Sequence, residues 1–88
     1  MTRYTIHASK HVKKFLDCHS DIAQRFLQKI SIMSTDPFSA TLDIQKLEWK
    51  DNHYRLRISK YRFLFTLQEW EILIYFYKAG KRWDVYKK

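Results

Sequence analysis

Three arginines lie close together in the segment YRLRISKYRF, at Arg55, Arg57 and Arg62 of the 88-residue chain. Apolar and polar residues alternate in the stretch His53–Ile58, which predicts a strand that carries Arg55 and Arg57 on one face. If the following SK dipeptide is a two-residue turn, the next strand places Arg62 directly opposite Arg57. Like charges at paired positions destabilise a sheet, but a phosphate between guanidinium groups accepts hydrogen bonds from both. The pattern therefore predicts a phosphate-binding face.

An alternative interpretation of the same pattern stays open. Arginines on the exposed face of a strand are usually solvated charge, and their side chains can bend away from each other. Neither Ser59 nor Lys60 is a preferred residue of a tight hairpin turn, and a longer loop would shift every pair in the hairpin. The phosphate-binding interpretation thus depends on the strand register.

The chemistry that such a face would support is cleavage of RNA by its own 2′-hydroxyl group. This reaction needs a base for the hydroxyl proton, cations for the charged transition state and an acid for the departing oxygen. Arginine suits the second role only, because it stays protonated. His53 shares the predicted strand face and titrates near neutral pH, so it is an auxiliary acid or base candidate, or else a surface histidine near a turn.

Other common kinds of site have no signature in the sequence. The four histidines do not form a ligand spacing with Asp, Glu or Cys, so we expect no metal and no cofactor. Gly80 is the only glycine, which excludes a glycine-rich phosphate loop; it predicts a sharp turn out of the last strand. Cys18 has no supporting motif and is expected to be an inert thiol.

Length and charge limit the architecture and the partners. A chain of 88 residues with 45% hydrophobic residues predicts one compact domain over residues 1–88. The net charge of +8 favours polyanionic partners such as RNA, DNA, a ribosome or an acidic protein. One cysteine allows no internal disulfide, and the N-terminal region has no apolar stretch for a signal peptide or membrane span. We therefore expect a cytoplasmic protein with no membrane partner.

The elements that would position the arginines begin with a strand at residues 3–8 and two helices. Ser9 and Ser20 are the predicted N-caps of these helices, and Pro37 ends the second one. Apolar residues at helical spacing predict the faces that pack on the core. In the first helix they are Val12, Phe15 and Leu16, and in the second they are Ile22, Phe26, Ile30 and Met33.

The rest of the chain predicts strands. A short strand is predicted at residues 47–49, followed by His53–Ile58, Tyr61–Gln68 and residues 72–78. The last of these is apolar on both faces, which is typical of a central strand. We therefore predict an α+β fold of order β-α-α-β-β-β, with both N-terminal helices packed on one face of a small antiparallel-rich sheet.

The segments KLEWKDNHYRLRISKYRFLFTL and ILIYFYKAGKRWDVYKK follow each other in an order that resembles the RelE branch of the RelE/ParE toxin superfamily. The shared features are a Leu before a short loop, a YRLRI strand, a YRFLF strand and a GKRWDVY ending. The helices match only in order and size. The resemblance implies a RelE-like toxin of a type II toxin-antitoxin system. Such an mRNA interferase cleaves messenger RNA in the ribosomal A site, inhibits translation and is bound by a cognate antitoxin.

The resemblance also implies a set of site residues. Matched by position, the catalytic residues of the family fall on Arg55, Arg57, Arg62, Arg82 and Tyr86. Lys81 is a neighbouring RNA-binding candidate, and Trp83 is another that could cover or stack on RNA or pack on the protein instead. The RelE toxin has lysines where this chain has Arg55 and Arg57, so these two cannot be the base.

Tyr86 is then the first candidate for the base, provided that nearby arginines lower its pKa from about 10. The alternative is that Tyr86 packs against the sheet. Two other functions stay open for the whole chain. One is a ParE-like DNA gyrase inhibitor without nuclease activity, against which the retained Arg62, Arg82 and Tyr86 argue. The other is a basic nucleic-acid-binding module without catalysis, with a steep salt dependence of binding.

Overall fold

A computed structural model describes residues 3–48 and 51–81, where two helices pack on one face of a five-stranded sheet. The predicted α+β class, with both helices before most of the strands, is confirmed. The prediction that the chain is one domain over residues 1–88 stays a prediction. In chain order the elements are β1 (Thr5–Ala8), α1 (Lys10–Asp17), α2 (Ser20–Met33), β2 (Ile44–Lys46), β3 (His53–Ile58), β4 (Tyr61–Gln68) and β5 (Leu73–Lys81).

The sheet has the strand order β1-β5-β4-β3-β2 and is antiparallel except where β1 pairs with β5. It has five strands, one more than the predicted order β-α-α-β-β-β. The short strand predicted at residues 47–49 lies instead at Ile44–Lys46, as β2. Ile44 pairs with Leu56 and turns toward the core, which fixes β2 three residues earlier. Leu47 packs on the opposite face of the sheet, and Trp49 lies outside the described residues.

The two helices begin in different ways. Ser9 caps α1 as predicted, since its hydroxyl oxygen accepts a hydrogen bond from the amide of Val12 at 3.2 Å. The predicted Ser20 cap is wrong by one residue, because Ser20 is the first residue of α2 and His19 is the N-cap. The His19 side chain bonds the carbonyl of Phe15 at 2.8 Å, so it closes α1 instead of capping α2. None of the helices in the described ranges is long and apolar enough to cross a membrane.

The core lies between the helices and the apolar face of the central strands. The largest side chains without solvent exposure are those of Phe63, Phe65 and Phe76, from β4 and β5. Phe26 of α2 packs on this cluster, with ring centroids 4.8 Å from those of Phe63 and Phe76. The predicted core faces of both helices are confirmed: the residues concerned are buried or packed against the core.

Strand β5 differs from its predicted bounds at both ends. Ile72 has a φ of 53°, in the left-handed region, so it belongs to the turn before the strand. At the other end Gly80 continues the strand opposite Arg62, and the predicted sharp turn at Gly80 is wrong. The pairing of β4 with β5 shifts between Leu64 and Phe65, which leaves Tyr77 as an extra residue in β5. This bulge places Tyr77 beside Leu64, on the sheet face away from the helices.

Candidate nucleic-acid interface

The hairpin of β3 and β4 has the register that the phosphate-binding interpretation required. Arg57 pairs directly with Arg62, while Leu56 pairs with Phe63 on the core side. The two-residue turn forms even though Ser59 is not a glycine, and this residue has a φ of 56°. The apolar residues explain the register, because a slip by one residue would move all of them to solvent. We call the outward surface formed by Arg55, Arg57 and Arg62 the arginine face.

An acidic residue lies in the arginine face. One carboxylate oxygen of Asp43 is 2.6 Å from Nε of Arg57, and the other is 3.4 Å from Nη2 of Arg55. Arg55 also donates a hydrogen bond to the side-chain oxygen of Gln45 at 2.9 Å, and its side chain is only 11% exposed. The side chain of Arg57 is 50% exposed. The guanidinium groups of β3 are therefore held in place by residues in and next to β2.

Arg62 has a different environment. Its Nη1 donates a long hydrogen bond of 3.5 Å to the carbonyl oxygen of Lys60, within the same hairpin. The residue opposite it on the other neighbouring strand is Gly80, which has no side chain. In the arginine face, one carboxylate thus contacts the guanidinium groups of Arg55 and Arg57, which leaves a net positive charge, and the Arg62 guanidinium is not bonded to that carboxylate.

A histidine and a tyrosine form a second polar group on the same sheet face. Nδ1 of His53 lies 2.9 Å from the hydroxyl oxygen of Tyr77, and the two rings meet edge to face. Burial raises the pKa of Tyr77 above its usual value of 10.0, so this phenol stays protonated at neutral pH. The protonated hydroxyl of Tyr77 can then donate a hydrogen bond to Nδ1 of His53. His53 is half-buried in this contact, which argues against the interpretation of a freely solvated surface histidine.

An apolar cluster of Leu47, Leu64 and Tyr77, which we call the apolar floor, lies on the same sheet face as the arginines. Leu64 projects outward from β4 and is only 1% exposed, because Leu47 and Tyr77 cover it. A buried leucine on the outward face keeps Tyr77 at a fixed position in the bulge of β5. Leu64 also pairs with Arg55 of β3, so the floor adjoins the arginine face as well as Tyr77.

A cleft adjoins the arginine face at the end of β3. It has a volume of about 480 Å³ and extends between α2 and the hairpin turn. Arg25 and Lys29 of α2 line one side, while Arg57 and Asp43 line the other. By helical spacing these two cations lie away from the apolar stripe with which α2 packs on the core. The structure instead brings them to the same cleft as Arg57.

The predicted site residues have three different outcomes. Arg55, Arg57, Arg62 and His53 lie together on one sheet face. Lys81 is exposed at the end of β5, next to the pair of Arg62 and Gly80. The other three, Arg82, Trp83 and Tyr86, lie outside the described residues.

The sequence analysis missed Asp43, Gln45 and Tyr77. The segment LDIQ did contain a signal for the first two, because its leucine and isoleucine alternate with the two polar residues. Tyr77 gave no such signal, since the bulge that turns it outward depends on pairing with β4. Within residues 3–48 and 51–81 no three His, Cys, Asp or Glu side chains are grouped as metal ligands.

Comparisons with known proteins give similarities in structure. No protein-family model and no curated protein matches the sequence. The archaeal RelE-RelB complex from Pyrococcus horikoshii contains a chain of 28% identity with a TM-score of 0.80, over 94% of this chain and 98% of that one. A RelB-RelE antitoxin-toxin complex from Methanococcus jannaschii gives 23% identity and a TM-score of 0.74, over 93% and 95%. The isolated E. coli RelE toxin gives 18% and 0.71, over 94% and 90%. The RelE resemblance is thus confirmed at the level of the fold.

Proposed function

From the RelE fold and the arginine face together, we propose that this protein is the toxin of a type II toxin-antitoxin system. Its activity is that of an endoribonuclease that cuts messenger RNA in the ribosomal A site and so inhibits translation. The observation that carries the proposal is the hairpin register, which sets Arg57 opposite Arg62 although this pairing of like charges disfavours folding. A phosphodiester at this position would offset the repulsion.

The reaction proceeds by attack of the 2′-oxygen on the adjacent phosphorus. The bond from phosphorus to the 5′-oxygen breaks, which leaves a 2′,3′-cyclic phosphate and a free 5′-hydroxyl. Arg55, Arg57 and Arg62 stabilise the negative charge that develops on the phosphate oxygens, with Arg82 as a further cation implied by the resemblance. No metal takes part in this scheme.

Two proton carriers are available for the reaction. Tyr86 is proposed as the base that accepts the 2′-hydroxyl proton, on the resemblance alone. His53 is the auxiliary candidate, supported by its bond to Tyr77, which fixes the orientation of the imidazole ring. A proton returned to the departing 5′-oxygen completes the balance. Lys81 and Trp83 are proposed as RNA contacts beside these groups.

The proposed partners are a cognate antitoxin, the ribosome and messenger RNA. The structurally similar chains from P. horikoshii and M. jannaschii come from complexes of RelE with RelB, which supports an antitoxin partner here. The +8 charge suits an acidic protein segment as well as RNA. The proposed location is the cytoplasm, where both the ribosome and the message are found.

The test is primer extension on messenger RNA in translating ribosomes, with the protein purified from its antitoxin complex. We expect new 5′ ends within the A-site codon for the wild type and for Arg3→Ala, a matched loss of charge next to β1, which is three strands away from β3 in the sheet. The double variant Arg62→Ala with Tyr86→Phe should cut at least about 100-fold more slowly.

Two results would contradict the proposal. One is intact message with the wild type under conditions where translation is active. The other is full cleavage by the double variant. A gyrase supercoiling assay, run with the same preparations, identifies the ParE-like alternative if the wild type inhibits supercoiling while the message stays whole.

A further inference from the structure

Asp43 has a position that the proposed reaction does not use. It directly precedes β2, and its carbonyl oxygen accepts a hydrogen bond from the amide of Arg57 at 2.9 Å. This backbone contact extends the pairing of β2 with β3 by one step and fixes Asp43 alongside Arg57. The carboxylate is thereby held at the arginine face by the sheet and not only by attraction between charges.

The carboxylate of Asp43 meets the arginines in the way that a phosphate would. Its two oxygens contact two different guanidinium groups, at 2.6 Å to Arg57 and 3.4 Å to Arg55. Two non-bridging oxygens of a phosphodiester can make the same bridge between two arginines. Asp43 is 43% exposed, and contacts between charges that water reaches are weak and easily exchanged.

The adjoining cleft gives the displaced side chain somewhere to go. Asp43 lines this space together with Arg25 and Lys29 of α2. A carboxylate that leaves Arg55 and Arg57 can therefore turn toward two other cations without crossing the apolar core. After it has been displaced from the arginine face, the carboxylate therefore still has positive charge nearby.

We propose that Asp43 is an internal stand-in for the substrate phosphate. In the absence of RNA it keeps the guanidinium groups of Arg55 and Arg57 together, and it lowers their affinity for polyanions that are not substrate. A phosphodiester that reaches the arginine face displaces the carboxylate and takes over both contacts. The inference rests on the proposed function in so far as the phosphate belongs to RNA.

The test compares Asp43→Asn with Glu71→Gln, which removes the same charge from the exposed turn between β4 and β5. The probe is a short 2′-O-methyl oligoribonucleotide, which has no free 2′-hydroxyl and cannot be cut. We expect Asp43→Asn to bind it about 3- to 10-fold more tightly at low salt. The slope of log affinity against log salt should steepen by about 0.7, the value for one more neutralised phosphate on a single strand.

Matched variants separate this role from a purely structural one. Glu71→Gln should keep the wild-type slope, and Asp43→Glu, which keeps the carboxylate, should also keep it. In a protein that already carries Arg55→Gln and Arg57→Gln, the further change Asp43→Asn should give no gain in affinity, because there the carboxylate of Asp43 has no guanidinium groups to occupy. Circular dichroism of each variant checks that the fold is retained.

Several results would overturn the inference. One is that Asp43→Asn binds the oligoribonucleotide no more tightly than Glu71→Gln does. Another is that Asp43→Asn still increases the affinity in a protein that lacks Arg55 and Arg57. A wild-type salt slope combined with a cleavage rate lowered more than about 100-fold would place Asp43 in proton transfer instead. A wild-type protein that binds RNA and never cuts it would contradict the proposed function, while the affinity measurements would still decide the role of Asp43.

Discussion

The two faces of the β3–β4 hairpin have opposite properties although they share one backbone. On the helix side Leu56 and Phe63 form a directly opposed pair with no solvent exposure. One position closer to the turn, Arg57 and Arg62 form the next pair on the other side. The first pair stabilises the hairpin by burial, whereas the second opposes it by repulsion.

The difference shows how one face can impose an unfavourable arrangement on the other. Side chains alternate along a strand, so the register chosen by the apolar pairs leaves no freedom to the polar ones. The arginine face is thus assembled by contacts that it does not make itself. Stability and function should therefore respond separately to substitutions on the two faces.

The largest effect is expected on the buried face. Phe63→Ala should lower the free energy of unfolding by about 3–5 kcal/mol, because it leaves a cavity among three aromatic rings. Urea unfolding followed by circular dichroism measures this loss. Trp70→Ala, at a side chain that is 84% exposed, is the matched control and should change stability by less than about 0.5 kcal/mol. If both variants lost the same free energy of unfolding, the buried face would contribute no more to stability than an exposed side chain does.

The next effect is expected on the outward face. Arg62→Gln should slow messenger cleavage about 100-fold, equivalent to about 2.7 kcal/mol, since it removes a cation from the transition state. The same variant should keep or slightly raise the free energy of unfolding, by up to about 1 kcal/mol, because the repulsion with Arg57 is relieved. Primer extension and urea unfolding on one preparation give both numbers. If Arg62→Gln lost stability and kept its activity, Arg62 would serve the stability of the fold and not the cleavage reaction.

A smaller effect is expected at the turn that joins β3 and β4. Ser59 has a φ of 56°, a region that glycine enters without steric cost. Ser59→Gly should therefore raise the free energy of unfolding by about 0.5–1 kcal/mol and leave the hairpin register unchanged. Ser59→Val should lower it, because a β-branched residue is disfavoured there. A loss of stability in Ser59→Gly would show that the serine side chain contributes more than its backbone conformation costs.

The smallest effect is a pH dependence at the edge of the outward face. The pKa of Tyr77 is raised by burial, so the folded state keeps this proton at a pH where the unfolded chain loses it. Stability that is fully present below about pH 10 should decline as the pH rises through the folded-state value. Tyr77→Phe should flatten this decline, measured as the difference in free energy of unfolding between about pH 9 and pH 11. An identical decline in both proteins would show that lysines cause it.

The hairpin was the part of the molecule most open to prediction from sequence. Strict alternation in both strands leaves few registers, and only one of them buries all the apolar residues, so the pairing of Arg57 with Arg62 could be inferred. The Ser9 cap was also predictable, because Ser9 and Val12, whose amide donates the capping hydrogen bond, are only three residues apart in the sequence.

Other features depend on contacts between distant segments. Strand β2 has only three residues, so its position is set by Leu56 on the neighbouring strand more than by its own sequence. Asp43 joins the arginines only once that pairing exists. The same holds for Tyr77, because the extra residue in β5 is defined by its partner strand. Asp43 contacts two of the arginines and Tyr77 contacts His53, so both belong to the candidate site although the sequence did not reveal them.

The parallel pair of β1 and β5 has a consequence for synthesis. Ser9 and His11 at the start of α1 bond the carbonyl oxygens of Tyr77 and Ala79, across 68 positions of sequence. A nascent chain cannot make these bonds until β5 has emerged, so β1 and the start of α1 stay without these partners until then. The arginine hairpin emerges earlier, but the sheet that supports it closes late. The arginine face is therefore supported by a complete sheet only after β5 has been synthesised.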